Sequence, residues 1–189
     1  AVELFTLSAT QSNAAAEYKL GEYYEFRKKN DTKALEFYRK GAEHGNAIAQ
    51  CKIGYFYEYG KGGLERNLPV SKEWYLKSAS QGLPVGQYHA GMLFKYKESN
   101  VKDAEEWFTK AAQQGYSNAF FELGRIEMNE KHNKERASIF FIEALNSTNR
   151  ANQICILSIQ SLVVIAQQFE IKHKDKAIEI YIVLLQYHG

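Results

Sequence analysis

The sequence lacks a cysteine framework. Its only two cysteines, Cys51 and Cys155, lie more than a hundred residues apart in a chain of 189 residues. Thiols spaced in this way form neither a disulfide framework nor the paired ligands of a zinc site. A reducing compartment is therefore favoured over an oxidising one.

An excess of charge of one sign is also missing. Lysine and arginine number 24 against 22 aspartates and glutamates, which leaves a formal net charge of +2. A surface built to hold a nucleic-acid backbone needs far more positive charge. The apolar stretch at residues 154–166 contains serine and glutamine and is too short to span a bilayer. We therefore expect neither nucleic acid as the partner nor insertion into a membrane.

Catalytic and metal-binding motifs are missing as well. No histidine has a ligand or a catalytic partner at a useful spacing; the five are His44, His89, His132, His173 and His188. The glycines around Lys61 lack the spacing and the preceding strand of a phosphate-binding loop. Ser80 and His89 are not accompanied by the nucleophile elbow, the sharp strand-to-helix turn that exposes a catalytic serine. We expect no catalytic residue, no metal and no cofactor.

What the sequence does contain is one repeated phrase in two parts. The first part reads Ala16-x-x-x-Leu20-Gly21-x-x-Tyr24, and it recurs around Gly54, Gly91 and Gly124. The second part reads Ala34-x-x-Phe37-Tyr38-x-Lys40-x-Ala42-x-x-Gly45. It recurs around Trp74-Tyr75, Trp107-Phe108 and Phe140-Phe141, with a divergent copy at Ile180-Tyr181.

The residues that close each copy set the period of the repeat. Gly45, Gly82, Gly115 and Thr148 follow one another at intervals of roughly 33 to 37 residues, a period typical of helical repeat arrays. A glycine after the last turn of a helix favours a left-handed terminal residue. The chain is predicted to be a single repeat domain over residues 1–189, with units at 14–45, 46–82, 83–115, 116–148 and a divergent 149–189.

Each unit is predicted to be a pair of helices, because its apolar residues recur three or four positions apart. Gly21, Gly54, Gly91 and Gly124 lie inside the first helix, where glycine costs about 1 kcal/mol relative to alanine. A cost repeated in register indicates that an aromatic ring of the paired helix packs against the missing side chain. We assign this packing to a buried ladder formed by Phe37, Trp74, Trp107 and Phe140. Truncation of either tryptophan to alanine is expected to cost about 3–5 kcal/mol.

These phrases resemble the Sel-1-like repeat, a relative of the tetratricopeptide repeat. The resemblance extends over most of the chain, from about Ala14 to Thr148. It implies an all-α fold, a right-handed superhelical solenoid of about five antiparallel helix pairs. It also implies a non-catalytic scaffold or adaptor that binds a protein or peptide partner.

In such stacks the first helix of each pair lines the concave face, so the resemblance also implies which side chains meet the partner. They stand three residues before, one residue after and four residues after each packing glycine. Apart from Cys51, the residues at these positions are expected to contact the partner, and they are Tyr18, Glu22, Glu25, Tyr55, Glu58, Tyr88, Met92, Lys95, Phe121, Arg125 and Met128. Several are aromatic, and aromatic residues are enriched among binding hot spots.

Charge is sorted along this expected groove. Glu22, Glu25 and Glu58 come early in the chain, and Lys95 and Arg125 come late. We therefore hypothesise a peptide whose basic part lies near the first unit and whose acidic part lies near the third and fourth units. The competing interpretation is that these tyrosines cover the neighbouring helix and contact no partner.

Two alternative functions remain open from the sequence. Helical repeats can read single-stranded RNA, although this needs a basic groove; the chain could also be the interaction module of a larger multidomain protein or enzyme. The helix expected over residues 175–187 is apolar on nearly every side, whereas repeat arrays normally end on a polar face. We therefore expect further repeats or a homodimer through this helix. A cytoplasmic location is favoured, and a secreted bacterial or endoplasmic-reticulum lumenal protein stays open.

Overall fold

The computed structural model describes residues 5, 9, 12–147, 153–169 and 173–187. Thr148 and His188, named above, lie outside these residues. The described part contains ten α-helices and one π-helical turn, Tyr23–Arg27, which continues the first helix. The helices are α1 Ala14–Glu22, α2 Asp31–Glu43, α3 Ala47–Tyr59, α4 Leu68–Ser80, α5 Pro84–Lys97, α6 Val101–Ala112, α7 Ser117–Asn129, α8 Lys134–Asn146, α9 Gln153–Phe169 and α10 Lys174–Tyr187.

Asparagine side chains begin most of these helices. At the start of α3 the side-chain oxygen of Asn46 accepts a 2.9 Å hydrogen bond from the backbone N–H of Ala49. This bond satisfies one of the N–H groups that the first turn of a helix leaves without a partner. The asparagines that cap helices in this way are Asn13, Asn30, Asn46, Asn67, Asn100 and Asn133.

Glycine ends the second helix of three units. Gly45, Gly82 and Gly115 have φ angles of +87°, +86° and +78°. A residue with a Cβ atom adopts this left-handed conformation only at a cost, whereas glycine adopts it freely. The next helix begins two residues after each of these glycines. The predicted role of these closing glycines is confirmed.

The chain divides into two compact units, residues 1–93 and residues 94–189, called here the N-terminal and C-terminal units. In the N-terminal unit, successive helices α1 to α4 pack against one another in sequence order. Its core joins side chains of α2 and α3: Ala34, Leu35, Tyr38, Ala42, Ala49, Ile53 and Phe56. The predicted helix pairs are therefore present.

At three of the four packing glycines an aromatic ring occupies the space of the missing side chain, as predicted. A Cβ atom placed on Gly54 would lie 2.7 Å from Cδ1 of Tyr75, and one on Gly124 would lie 2.7 Å from Cε1 of Phe141. At Gly21 the atoms in the way belong to the ring of Tyr38. No side chain larger than hydrogen fits at these positions unless the ring moves.

The predicted identity of the rings is wrong. We expected the first residue of each aromatic pair to be buried, but Phe37, Trp74, Trp107 and Phe140 are only half-buried. The second residue of each pair is fully buried instead: Tyr38, Tyr75, Phe108 and Phe141 are each 0% exposed. Adjacent residues of a helix point about 100° apart, so only one of the two rings can face the paired helix. Gly91, the remaining packing glycine, is buried within α5.

In the C-terminal unit the core draws on α7, α8, α9 and α10. It includes Phe121, Phe141, Leu145, Leu162 and Ile180. In the divergent fifth copy, the leucine that takes the place of the packing glycine, Leu157, is half-buried, and its neighbour Ser158 is fully buried. The hydroxyl of Ser158 has no hydrogen-bond partner, alone among the buried side-chain polar atoms of the described residues.

The described helices also bear on membrane insertion and metal binding. None of the helices within residues 12–147, 153–169 and 173–187 is long and apolar enough to cross a membrane. Over the same residues, the histidine, cysteine, aspartate and glutamate side chains form no group of three or more that could hold a metal ion.

Candidate functional site: a cleft in the N-terminal unit

A cleft of about 310 Å³ opens in the N-terminal unit between the π-helical turn, α3 and α5. Its lining residues are Glu25, Phe26, Ile48, Cys51, Lys52, Tyr55, Val85 and His89. The four from α3 share one face of that helix because their spacing is three, one and three residues. Val85 and His89 stand one turn apart on α5. The repeat thus gathers side chains of three successive segments around one concavity.

The π-helical turn shapes one wall of the cleft. It places Glu25 in the interior, where its side chain is 6% exposed, and Phe26 at the surface, where it is 51% exposed. The Lys52 Nζ atom lies 4.7 Å from the centre of the Phe26 ring. Short π-helical segments are rare and occur frequently at functional sites.

Glu25 is the centre of a buried polar network under the cleft. Its carboxylate accepts a 2.6 Å hydrogen bond from the Tyr38 hydroxyl and a 2.9 Å hydrogen bond from Lys52 Nζ. Lys61 Nζ lies 3.5 Å from the same carboxylate and 3.3 Å from Asp31. Burial alone would raise the pKa of Glu25, but these hydrogen bonds and lysine charges outweigh burial and lower it. Glu25 is therefore ionised and its charge is matched inside the protein.

Glu58 repeats this arrangement in the second copy of the phrase. The Tyr75 hydroxyl donates a 2.8 Å hydrogen bond to the Glu58 carboxylate. Burial, together with the nearby negative charge of Glu58, raises the pKa of Tyr75 far above its usual value. The hydroxyl therefore stays protonated and acts as a permanent donor.

Two titratable groups of the cleft are neutral. Burial raises the pKa of the Cys51 thiol to about 12, so the reactive thiolate is scarcely populated near neutral pH. His89 stacks on Tyr75, with the ring centres 4.8 Å apart and an interplanar angle of 9°. Burial lowers the pKa of His89, so its ring is uncharged near neutral pH. Neither group provides an activated nucleophile or a cation for a ligand.

The remaining predicted contact residues of the N-terminal unit lie on α1, α3 and α5. Tyr55 lines it, and its ring centre is 4.7 Å from that of Tyr59. Tyr18 donates a 2.6 Å hydrogen bond to Glu22 on the same helix. Tyr88 stands edge-on to His89, and Met92 is half-buried on α5. Of the predicted contact residues, the structure brings Glu25 and Tyr55 together at the cleft.

The chain matches a known family along most of these helices. A profile of the Sel1 repeat matches residues 14–46, 47–83 and 85–116, which is more than half of the chain. The chain belongs to the Sel1 repeat family. This finding confirms the resemblance inferred from the repeated phrases.

Solved structures show the same fold. A protective antigen of uropathogenic Escherichia coli displaying an SLR fold is similar with a TM-score of 0.78 and 21% identity, over 96% of this chain and 40% of that chain. A Sel1 repeat protein from Oxalobacter formigenes is similar with a TM-score of 0.71 and 21% identity, over 94% of this chain and 74% of that chain. YrrB, a TPR protein with an unusual peptide-binding site, is similar with a TM-score of 0.61 and 18% identity, over 99% of this chain and 93% of that chain.

These likenesses confirm the predicted all-α, helical-repeat class. The chain spans less than half the length of the E. coli antigen, and no curated protein matches it significantly. Sel1 and TPR-like repeats generally serve as protein-interaction scaffolds and are typically non-catalytic.

The charges predicted to be sorted along a Sel1 groove have partners within the chain. In the C-terminal unit, Lys95 Nζ lies 2.9 Å from Glu122, and Arg125 lies 3.2 Å from the same carboxylate. The Lys95 side chain is only 8% exposed. Glu25 and Glu58 also have hydrogen-bond partners within the chain. The predicted peptide with a basic part near the first unit and an acidic part near the third and fourth units stays a prediction.

Two other predicted contact residues of the C-terminal unit belong to its core. Phe121 is 8% exposed, and its ring centre lies 5.5 Å from that of Phe141. Met128 is partly buried and packs against the same hydrophobic cluster. Their positions explain their apolar character without a partner.

Sequence reasoning missed five residues of the cleft: Phe26, Ile48, Lys52, Val85 and His89. Ile48 and Val85 stand six residues before a packing glycine, and Lys52 and His89 stand two before one. These positions continue the same helix face towards its N-terminus, at spacings of three and four residues from the positions that we considered. Counting back one further turn in each Sel1 unit would have found these four, but not Phe26, which stands five residues after Gly21.

Proposed function

We propose that the protein is a non-catalytic binding module whose cleft in the N-terminal unit holds an apolar side chain of a protein or peptide partner. The observation that carries this proposal is the neutral, largely apolar lining of the cleft. Phe26, Ile48, Tyr55 and Val85 present rings and aliphatic groups there, and two of them, Phe26 and Ile48, are 51% and 40% exposed.

The polar groups of the cleft support the proposal that the side chain entering the cleft is selected by its shape and not by its charge. The charge of Lys52 is balanced by Glu25, so the aliphatic part of this lysine can serve as cleft wall. Small binding sites commonly combine an apolar lining with a few fixed polar groups that orient the ligand. A cleft of this volume accepts one bulky side chain, and we propose an aromatic or large aliphatic residue of the partner as the anchor.

We propose that the remaining predicted contact residues form a rim around the cleft. Tyr18, Glu22, Glu58, Tyr88 and Met92 lie on the first helices that flank the cleft, where partner contacts add area around a central anchor. We propose that they contribute less to affinity than Tyr55. Lys95 and Arg125 are proposed as contacts of secondary importance, because both already pair with Glu122.

Selection from a random peptide library displayed on phage tests the proposal. Peptides selected on the immobilised chain should share an aromatic or large aliphatic residue. Their affinity, measured by fluorescence polarisation, should fall at least about tenfold with Ile48→Glu or Val85→Glu, because a carboxylate cannot enter an apolar cleft without losing its hydration.

A matched control separates loss of the site from a general surface effect. Ile139 is 58% exposed on α8 in the other unit, and Ile139→Glu should leave peptide affinity unchanged. Selected peptides that bind both cleft variants as well as the parent chain would move the site elsewhere. Salt-dependent binding of a mixed single-stranded RNA pool, in the absence of selectable peptides, would favour the nucleic-acid alternative.

A further inference from the structure

Glu25 and Glu58 hold the same position in the first two copies of the repeated phrase, four residues after the packing glycines Gly21 and Gly54. Each carboxylate accepts a hydrogen bond from the buried tyrosine of its own helix pair, at 2.6 Å for Glu25 and at 2.8 Å for Glu58. A hydroxyl is a neutral donor, so it does not balance the negative charge of the carboxylate. The other groups near each carboxylate decide whether its charge is balanced.

Lysines balance the charge in the first copy. Lys52 Nζ lies 2.9 Å from the Glu25 carboxylate, and Lys61 Nζ lies 3.5 Å from it. Lys52 stands two residues before Gly54, on the first helix of the following copy. The Glu25 side chain is buried, and burial of a charged group requires a pairing of this kind.

The copy that follows Glu58 lacks this lysine. His89 holds the position of Lys52 one copy later, two residues before its packing glycine. It stacks on Tyr75, the residue that donates a hydrogen bond to Glu58. Burial lowers the pKa of His89, so a neutral ring stands where the first copy has a cation. The carboxylate is kept in the second copy, and its counter-charge is not.

Within the described residues no other cation replaces the lysine. Glu58 forms no ion pair there, and Arg66 uses its Nε–H group for a 3.1 Å hydrogen bond to the backbone carbonyl oxygen of Glu58. Lys61 is held by Glu25 and Asp31. The Glu58 side chain is half-buried, so its negative charge is neither fully hydrated nor balanced by a cation.

An exposed aromatic ring stands beside this carboxylate. Tyr59 is 59% exposed, and its ring centre lies 4.7 Å from that of Tyr55, which lines the cleft. Burial and then the charge of Glu58 raise the pKa of Tyr59, whose hydroxyl also hydrogen-bonds this carboxylate. A carboxylate next to an aromatic face attracts guanidinium and ammonium groups. An acidic group would be repelled at the same place.

We propose that Glu58 and Tyr59 bind an arginine or lysine side chain of the partner, next to the side chain that enters the cleft. This inference rests on the proposed function and adds a contact outside the cleft lining. Tyr55 stands one helical turn before both residues, and side chains one turn apart lie about 5–6 Å from each other. An extended peptide advances about 3.3–3.6 Å per residue, so the basic residue should stand about one or two positions from the anchor.

An arginine derivative tests this contact without the cleft. Acetyl-arginine methylamide, added to the isotope-labelled 189-residue chain, should shift the backbone amide NMR signals of residues 55–59, with a dissociation constant on the order of 10 mM. Acetyl-norleucine methylamide, which lacks the charge, should not shift them. Glu58→Gln should abolish the shifts, because it removes the charge and keeps an oxygen that accepts from Tyr75. Glu73→Gln, at an exposed position of α4, should retain them.

A peptide whose binding requires Ile48 tests the contact beside an occupied cleft. Such a peptide should carry arginine or lysine within about two positions of its anchor, and replacement of that residue by glutamine should weaken binding about fivefold. Glu58→Gln should weaken binding by the same factor, and the two changes together should weaken it no further, because they remove one interaction. Thermal melts should show that Glu58→Gln and Glu73→Gln are folded.

The outcomes separate this inference from the proposed function. Peptides that require Ile48 but bind Glu58→Gln as tightly as the parent chain would overturn the inference and leave the proposed function standing. An arginine derivative that shifts no signal of residues 55–59, or shifts these signals equally in Glu58→Gln, would also overturn it. Peptides indifferent to the cleft variants would refute the proposed function, and the titration alone would then decide whether Glu58 binds a cation.

Discussion

Trp74 and Tyr75 are neighbours in sequence, and together they test which aromatic ring holds a helix pair together. Tyr75 is 0% exposed, its ring fills the notch at Gly54, and its hydroxyl donates a hydrogen bond to Glu58. Trp74 is half-buried, with Lys77 Nζ 4.2 Å from its ring centre. Tyr75→Ala empties the contact between α3 and α4, whereas Trp74→Ala removes a ring from the edge of that contact.

The two substitutions should lower the free energy of unfolding by different amounts. Removal of a fully buried aromatic ring costs about 3–5 kcal/mol. Loss of the donor to Glu58 adds about 1 kcal/mol, because the carboxylate keeps its partly buried position with one hydrogen-bond donor fewer. Trp74→Ala should cost about 1–2 kcal/mol, since its ring is only partly buried against the core. For a chain of this size, each kcal/mol corresponds to about 2–4 °C in melting temperature.

Urea unfolding followed by far-UV circular dichroism measures both costs. Tyr75→Phe separates the hydroxyl from the ring, because it keeps the ring and removes only the hydroxyl; it should cost about 1 kcal/mol. The order Tyr75→Ala, then Tyr75→Phe or Trp74→Ala, is the expected result. If Trp74→Ala costs as much as Tyr75→Ala, the assignment of the second ring as the packing ring is refuted.

Three further predictions address the notch, the buried carboxylate and the orphan hydroxyl. Gly54→Ala should lower stability, because overpacking against the Tyr75 ring costs about 1–3 kcal/mol and the gain in helix propensity from alanine is only about 1 kcal/mol. In a Tyr75→Ala background the ring is absent, so the same substitution should become stabilising. Glu25 has a lowered pKa in the folded protein, so its contribution to stability is full above its unfolded pKa and is lost as pH falls through the folded pKa; Glu25→Gln should therefore flatten the acid side of the stability profile in urea titrations below about pH 5. Ser158→Ala should raise stability by about 1 kcal/mol in thermal melts, whereas Ser161→Ala, which removes a 2.9 Å hydrogen bond to the Leu157 carbonyl, should not.

The repeat class was predictable from sequence because it depends on period alone. Glycines that close a helix, small residues inside the first helix and aromatic pairs in the second recur at fixed spacing, and each has a local physical cause. The choice between the two rings of a pair was not fixed by that spacing. Phe37 and Tyr38 are both aromatic, and period alone does not say which of two adjacent side chains faces the partner helix.

A second pattern in the sequence does carry that information. Where the second ring is a tyrosine, as in Tyr38 and Tyr75, the residue four positions after the notch glycine is Glu25 or Glu58. Where the second ring is phenylalanine, at Phe108 and Phe141, that residue is Lys95 or Met128, so the carboxylate is absent whenever the hydroxyl is absent. The 2.6 Å and 2.8 Å hydrogen bonds explain the pairing in the first two copies.

The cleft was less predictable than the fold, because its character depends on contacts between residues far apart in the chain. Tyr55 was expected there from its position after a notch glycine. The neutralisation of Lys52 by Glu25 joins residues 27 positions apart, and the exposure of Phe26 follows from a π-helical turn. Neither feature has a local signature in composition or period.

The polar network beneath the cleft bears directly on what the cleft can select. Lys52 alone would be a cation at the rim, able to attract acidic peptides. Glu25, ionised because Tyr38 and the lysines lower its pKa, holds this ammonium group in a 2.9 Å ion pair and cancels its charge. Breaking the pair to bind a ligand carboxylate would leave Glu25 buried with one partner fewer, which is costly. For the proposed binding role, the same residues that hold the helices together therefore remove charge as a basis for recognition inside the cleft, and the proposal leaves discrimination there to the size and shape of an apolar side chain.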